Sequence, residues 1–202
     1  MNQPIPNLTA LLGSRICHDL ISPLGAISNG VELIEMSGAG LTPEMELVAE
    51  SASSANVRIR FFRIAYGSAD TAQLVSRNEL KSILKGLNDL SRTKFRWFPV
   101  EDEPRVDVKV AFLLMQCLDT VLPLGGEVLI SREGKNLKFE AETAVTRIND
   151  ELWSMLENGP GPIDITPDTV QFALLPIELH RQGRLVVSEL TQDKFTVEVR
   201  DD

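Results

Sequence analysis

The sequence predicts an α+β protein in which a long N-terminal helical hairpin precedes a two-layer α/β sandwich. Before about residue 68, apolar residues recur at alternating spacings of three and four, which is typical of helices packed along a seam. After that point, shorter helical segments are mixed with stretches in which every second residue is apolar, as in half-buried strands. We therefore expect two domains, at residues 1–68 and 69–202.

The first helix is expected to begin near Asn7 or Thr9, after two prolines, and to run to Ser37. The glycine-rich segment Gly38-Ala39-Gly40 that follows is a typical helix stop. The apolar seam of this helix consists of Leu20, Leu24, Ile27, Val31 and Ile34.

The second helix is expected to begin with Thr42 as its N-cap and Pro43 at its first position, and to end near Gly67. Its seam runs unbroken through Met45, Val48, Ala52, Ala55, Ile59, Phe62 and Tyr66. A lone hairpin cannot cover two long seams, so the sequence predicts a homodimer in which two hairpins form a four-helix bundle. The expected dimer core contains Leu24, Ile27, Val31, Ile59 and Phe62.

The second domain is expected to open with a helix that Ser76 and Glu79 cap and that runs to about Ser91. A strand at Lys94–Val100 and a buried helix at Val106–Leu122 follow. The remaining predicted elements are the hairpins Glu127–Arg132 with Leu137–Thr143 and Leu185–Leu190 with Lys194–Val199, and the short helices Asp150–Leu156 and Asp168–Gln182. Helices grouped against one face of a mixed or antiparallel sheet would form the sandwich.

Composition and charge limit the classes of partner and the cellular location to be expected. A net charge of -9 argues against nucleic acid or an anionic membrane surface as a general partner. No segment reads as an export signal or approaches the roughly 18 apolar residues of a membrane span. Cys17 and Cys117 show no metal-binding spacing and are expected to be buried, reduced thiols. These features predict a cytoplasmic protein without membrane segments.

The candidate reactive residues are His18 and its neighbours on the first helix. Neutral imidazole is a nucleophile, and a histidine exposed on a helix can carry a phosphoryl group covalently. At about 100° per residue, the face of His18 also holds or adjoins Ser14, Arg15, Ile21, Ser22 and Gly25. We expect Asp19 to orient the imidazole, Ser22 to reach the transferred group and Arg15 to meet its charge. A solvated surface histidine without such a role is the alternative reading.

Small and polar neighbours would allow a partner protein to approach the histidine closely. The residues expected to contact such a partner are Ile21, Gly25, Asn29, Arg58 and Arg63. A solvated helix face is the simpler explanation of the two arginines, and the functional alternative is a docking surface for an acidic receiver domain.

The motif His18-Asp19-Leu20 with Ser22-Pro23 resembles the H-box of histidine-kinase dimerisation domains. The longer run from Ser14 to Leu33 resembles the ChpT-type histidine phosphotransferases of alphaproteobacteria. The resemblance implies a dimeric hairpin joined to a degenerate histidine-kinase ATPase (Bergerat) domain. It also implies a relay in which the histidine takes a phosphoryl group from the receiver aspartate of a hybrid kinase and passes it to a response regulator's aspartate. No cofactor or metal of its own is implied, and magnesium is expected only in the partner receiver.

The motifs that a kinase needs for ATP are missing from the second domain. Gln116 and Thr120 lie where asparagines would hold magnesium and phosphates, and Ala144-Val145 lies where an adenine-binding Asp and glycines would be expected. Phe172–Pro176 occupies the place of the glycine-rich turn. ATP binding is therefore not expected, and two alternatives stay open: an ATP-dependent kinase with an atypical nucleotide site, and a non-catalytic dimeric adaptor.

Overall fold

The computed structural model describes residues 8–37, 43–141, 148–159, 164–191 and 194–202. Two long helices come first, α1 at Leu8–Ser37 and α2 at Pro43–Ala65, and they pack along each other as a hairpin. Helix α1 continues through the buried Pro23 without a break. The prediction of a long N-terminal hairpin is confirmed, whereas the proposed N-cap Thr42 lies outside the described residues.

The helices that follow supply most of the core. Helix α3 spans Arg77–Leu90, and the hydroxyl of Ser76 accepts a hydrogen bond from the backbone N–H of Glu79, as the sequence predicted. Helix α4 spans Arg105–Val121 and is buried along most of its length, with Phe112 fully inaccessible to solvent. A small antiparallel pair, β1 at Leu74–Val75 and β3 at Glu103–Pro104, joins the segments that lead into these two helices.

The main sheet has five strands in the order β2-β4-β5-β7-β6. Strands β2 and β4 are parallel and the other pairs are antiparallel, so the sheet is mixed. The strands are β2 (Thr93–Trp97), β4 (Gly126–Glu133), β5 (Asn136–Ala141), β6 (Arg184–Leu190) and β7 (Phe195–Asp201). Burial alternates along β5 and β7, and their buried residues belong to the same core as the helices. The α+β class is confirmed.

Two further helices, α5 at Asp150–Asn158 and α6 at Gln171–Gln182, complete the helical part of the fold. The helix expected from Asp168 begins later, because the residues before it form a separate 3₁₀ turn at Pro167–Thr169. Thr169 closes this turn through its N–H to the carbonyl of Thr166, while its hydroxyl accepts from the N–H of Thr166 at 3.0 Å.

Two other details differ from the sequence predictions. Strand β2 ends at Trp97 rather than Val100, two residues before Pro99. Cys117 is buried as predicted, but Cys17 is exposed, because α1 packs on α2 along one side only and Cys17 lies on another. None of the helices within the described ranges is long and apolar enough to cross a membrane.

A buried charge joins α4 to α6. Glu178 is 5% exposed, and its carboxylate lies 3.2 Å from the ammonium of Lys109 and 2.7 Å from the guanidinium of Arg181. Burial by itself would raise the pKa of Glu178, but the hydrogen bond from Gln182 and the charge of Lys109 outweigh it and lower that pKa. The ionised carboxylate is therefore the form that the folded protein favours.

We predict that Glu178→Gln lowers the free energy of unfolding near neutral pH by about 3 kcal/mol, because it leaves the largely buried ammonium of Lys109 without its counter-charge. The folded-state pKa of Glu178 lies below its unfolded value, so this contribution is complete above the unfolded pKa and is lost as the pH falls. Urea unfolding at about pH 7 and about pH 4 should show the variant's deficit shrinking at the lower pH. The exposed Glu189 provides the control Glu189→Gln, and an equal deficit at both pH values would contradict the prediction.

Candidate functional site

His18 projects from the middle of α1 into solvent, with 78% of its side chain exposed. Its Nδ1 atom lies 3.3 Å from Oδ1 of Asp19. When the carboxylate is ionised, this contact favours a proton on Nδ1, because a carboxylate oxygen can only accept a hydrogen bond. The lone pair is then on Nε2, the nitrogen that makes no contact with Asp19.

Asp19 is held on both of its oxygens. Only 14% of its side chain is exposed, and its second oxygen, Oδ2, accepts a hydrogen bond from Nε of Arg15 at 3.0 Å. Asp19 thus lies beside the imidazole, and its expected role in orienting the ring stays a prediction.

Arg15 has a different position from the one expected. Its Nη1 donates to the carbonyl oxygen of Asp168 at 3.2 Å and lies 3.3 Å from the Oδ1 atom of the same residue. The guanidinium therefore lies between two carboxylates, 21% exposed, and is engaged on the side away from the histidine. A direct contact between Arg15 and a phosphoryl group on His18 stays a prediction, whereas its contact with Asp19 is part of the structure.

The surface around His18 is open on the sequence-predicted face. Ser22, Ile21, Gly25 and Asn29 are all exposed, and Ile21 leaves 68% of its surface to solvent. A methyl group added at Gly25 would meet no atom within 4 Å. These residues leave room for a second molecule to reach the imidazole.

The two arginines expected on the docking surface have contacts or surroundings within the chain itself. The guanidinium of Arg63 pairs with Glu79 of α3 at 2.6 Å. Arg58 lines a cavity of about 300 Å³ between the hairpin and the elements that follow it. A role for either arginine in partner docking stays a prediction that no contact in the structure supports.

Most residues of the expected dimer core are free for a partner chain. Leu24, Val31 and Ile59 are 55%, 43% and 53% exposed, and Ile27 is half-buried. Phe62 is different, because it is 8% exposed and stacks on Tyr66 within the same chain. Its periodicity on α2 could not show which of the two available cores it enters, and here it belongs to the chain's own core.

Gln116, which the sequence analysis placed where a kinase would have an asparagine, is hydrogen-bonded to a residue at the end of the hairpin. The hydroxyl of Tyr66 donates a hydrogen bond to Oε1 of Gln116 at 2.5 Å, and Nε2 of Gln116 donates to the carbonyl of Phe112. Burial raises the pKa of Tyr66 to about 12, so the phenol keeps its proton for this bond. The amide of Gln116 is thus engaged at both ends by the protein itself.

Phe172 begins the segment that the sequence places where a kinase would have a glycine-rich turn, and its side chain is fully buried in the core. Residues 144 and 145 lie outside the described part of the chain. Within the part that is described, no cluster of His, Cys, Asp and Glu is arranged to hold a metal ion.

Known proteins show the same organisation. The histidine phosphotransferase C-terminal domain family matches residues 77–194, which is more than half of the chain. The chain belongs to this family. Protein phosphotransferase ChpT of Brucella abortus (strain 2308) is 35% identical over 132 residues, and the match covers 64% of this chain and 63% of that protein. The family assignment confirms the resemblance, although this match spans less than two thirds of the curated relative.

A solved structure described as a bacterial phosphotransferase aligns along nearly the whole length of both chains. It covers 99% of this chain and 98% of its own, with a TM-score of 0.79 and 25% sequence identity. The arrangement of hairpin and sandwich is therefore shared with at least one solved phosphotransferase.

Sequence reasoning found His18 and Asp19 but missed Asp168 and the contact between Tyr66 and Gln116. Asp168 lies 153 residues from Arg15, and no local pattern brings the two together. Tyr66 was read only as a position in an apolar seam, because its periodicity gives no information about its hydroxyl.

We predict opposite effects of adding a methyl group at Gly25 and Gly30, two of the three glycines of α1. Gly25→Ala should keep or slightly raise the melting temperature, because the site is open and alanine favours helix by about 1 kcal/mol. Gly30→Ala should lower it, because the new methyl would overlap the Val48 side chain where α1 and α2 approach. Thermal unfolding followed by circular dichroism measures both, and equal melting temperatures would contradict the close approach at Gly30.

Proposed function

We propose that this protein is a histidine phosphotransfer protein that relays a phosphoryl group between two aspartates through His18. The observation that carries the proposal is the exposed imidazole whose Nδ1 faces an ordered carboxylate, so that Nε2 is free to act as the nucleophile. The family assignment and the relationship to ChpT support the same conclusion.

In the forward step, Nε2 of His18 attacks the phosphorus of a phosphoaspartate in a partner's receiver domain. The N–P bond forms as the acyl phosphate's P–O bond breaks, and the partner's aspartate leaves as a carboxylate. The proton stays on Nδ1, so the ring becomes cationic, and the Asp19 carboxylate stabilises that charge. The reverse step, with the aspartate of a response regulator as nucleophile, regenerates neutral His18.

The neighbours of His18 suit transfer between proteins. Ser22, one turn further along α1, is exposed and can donate its hydroxyl hydrogen to a phosphoryl oxygen. Ile21, Gly25 and Asn29 form the proposed docking surface for a receiver of the hybrid kinase or of the response regulator. Magnesium would be bound by the receiver's own acidic pocket rather than by this chain.

We also propose that two hairpins associate as a four-helix bundle, with domain limits near residue 68. Large apolar side chains are exposed along both helices, including Leu24, Val31, Leu33, Met36 and Ile59. Monomeric proteins rarely leave such a surface uncovered. The occupant we favour is a second copy of the chain, because both helices of the hairpin expose large apolar side chains that an identical hairpin could cover.

The second domain is proposed to be a degenerate ATPase-like domain that works without nucleotide, in a cytoplasmic protein. Gln116 and Phe172 support this proposal, since a hairpin tyrosine and the apolar core engage the positions that a nucleotide would need.

We predict that the purified protein acquires label from a ³²P-phosphorylated receiver domain and none from labelled ATP alone. The label should be labile in acid and stable in base, as expected for a phosphohistidine, and His18→Gln should abolish it. The chain contains two histidines, so His180→Gln, at an exposed position on α6, is the matched control and should accept label normally.

Label from ATP in the absence of any kinase would instead favour an autokinase. A protein that binds receivers but acquires no label from any of them would favour the adaptor. Retained labelling in His18→Gln would remove His18 from the mechanism.

We predict that Leu24→Glu combined with Ile59→Glu converts the dimer to a folded monomer, because both changes place charge in the proposed apolar interface. Sedimentation velocity at micromolar concentration measures the mass. Ser53→Glu is the control, since Ser53 is exposed on α2 about 120° from Ile59 around the helix axis and should leave the dimer intact. A monomeric wild-type protein would contradict the bundle.

A further inference from the structure

The series of side-chain contacts that begins at His18 extends beyond the hairpin. It runs from the imidazole to Asp19, from Asp19 to Arg15 and from Arg15 to Asp168, with separations of 3.3, 3.0 and 3.3 Å. The first three residues belong to α1, whereas Asp168 lies in the 3₁₀ turn before α6. The second domain therefore contributes a carboxylate to the surroundings of the phosphoacceptor.

The atoms that Arg15 contacts determine whether Oδ1 of Asp19 is available to His18. A guanidinium that faced Asp19 alone could engage both carboxylate oxygens in a bidentate pair. Such a pair would compete with His18 for Oδ1. In the structure, Nη1 is held by the carbonyl and the carboxylate of Asp168, and only Nε reaches Asp19, at Oδ2. Oδ1 is left for the Nδ1–H of His18.

The turn that carries Asp168 is itself well fixed. Nε2 of Gln171, a residue that is 1% exposed, donates to the carbonyl oxygen of Asp168 at 2.9 Å. The threonine contacts of the turn, between Thr166 and Thr169, hold the backbone on both sides of Asp168. The backbone carbonyl of Asp168 that Arg15 contacts is thus held by hydrogen bonds of the turn, whereas the Asp168 carboxylate itself is 76% exposed.

We propose that Asp168 is a positioning residue for phosphoryl transfer, which holds Arg15 so that Asp19 keeps His18 as the Nδ1–H tautomer with Nε2 free. The inference rests on the proposed function of His18 for its kinetic consequence, but the tautomer is a property of the unmodified protein. In this proposal the second domain acts directly on the chemistry of the histidine, in addition to docking.

The test uses the full-length protein with Asp168→Ala, the charge-retaining Asp168→Glu, and Asp164→Asn as a control at a nearby exposed acid. The ¹⁵N chemical shifts of the His18 ring, assigned with His18→Gln, report which nitrogen carries the proton. Transfer from a phosphorylated receiver, measured over a range of receiver concentrations, separates the rate constant at saturation from the half-saturating concentration.

In Asp168→Ala, we expect the His18 ring to become a mixture of both tautomers and the saturating rate constant to fall about three- to fivefold, the size typical of losing an exposed charge contact. The half-saturating concentration should not change. Asp168→Glu should restore both readouts, and Asp164→Asn should match the wild type.

Two outcomes would overturn the proposal: a wild-type tautomer in Asp168→Ala, or an effect confined to the half-saturating concentration, which would assign Asp168 to docking. A wild-type ring that is not mainly the Nδ1–H tautomer would overturn it as well, even if transfer proceeds. If no receiver transfers label to wild type, the proposed function fails, while the ¹⁵N spectra still decide whether Asp168 positions the ring.

Discussion

The packing of α2 on α4 joins the hairpin to the rest of the protein. Phe61 stacks on Phe112 with their ring centroids 4.6 Å apart, and one turn away the phenol of Tyr66 is hydrogen-bonded to Gln116. Gly86 of α3 lets Val57 of α2 approach closely beside this contact. Because this interface fixes the hairpin against the sandwich, it also determines which residues of the second domain can reach α1.

The site around His18 depends on that arrangement. The imidazole stands on a helix face open to solvent, while the carboxylate that orients it lies at the edge of the cavity between hairpin and sandwich. Successive positions of a helix face different directions, so the exposed imidazole of His18 can lie beside the sheltered carboxylate of Asp19. Beside this interface, Asp19 and Arg15 lie in a partly desolvated environment, where charge interactions are stronger.

Much of the fold could be predicted because its signals are local. The seams of α1 and α2, the cap at Ser76 and the alternation in β7 each lie within a few residues of one another. Features decided by distant contacts were not predictable in this way. Phe62 enters the chain's own core, Cys17 is exposed on α1, and Asp168 meets Arg15, and each outcome depends on how separate segments pack. For the candidate site, the sequence identified His18 and its neighbour Asp19, while the charges beyond them required the tertiary structure.

Pro23 has a consequence for the mechanics of α1. Proline has no backbone N–H, so it cannot make the helical hydrogen bond to the carbonyl four positions earlier, which is the carbonyl of Asp19. The turn between Asp19 and Pro23 therefore has one main-chain bond fewer than an ordinary turn, immediately after the histidine. The histidine thus lies next to a turn of α1 that is held by fewer main-chain hydrogen bonds, so that small adjustments of the backbone there break less of the helix.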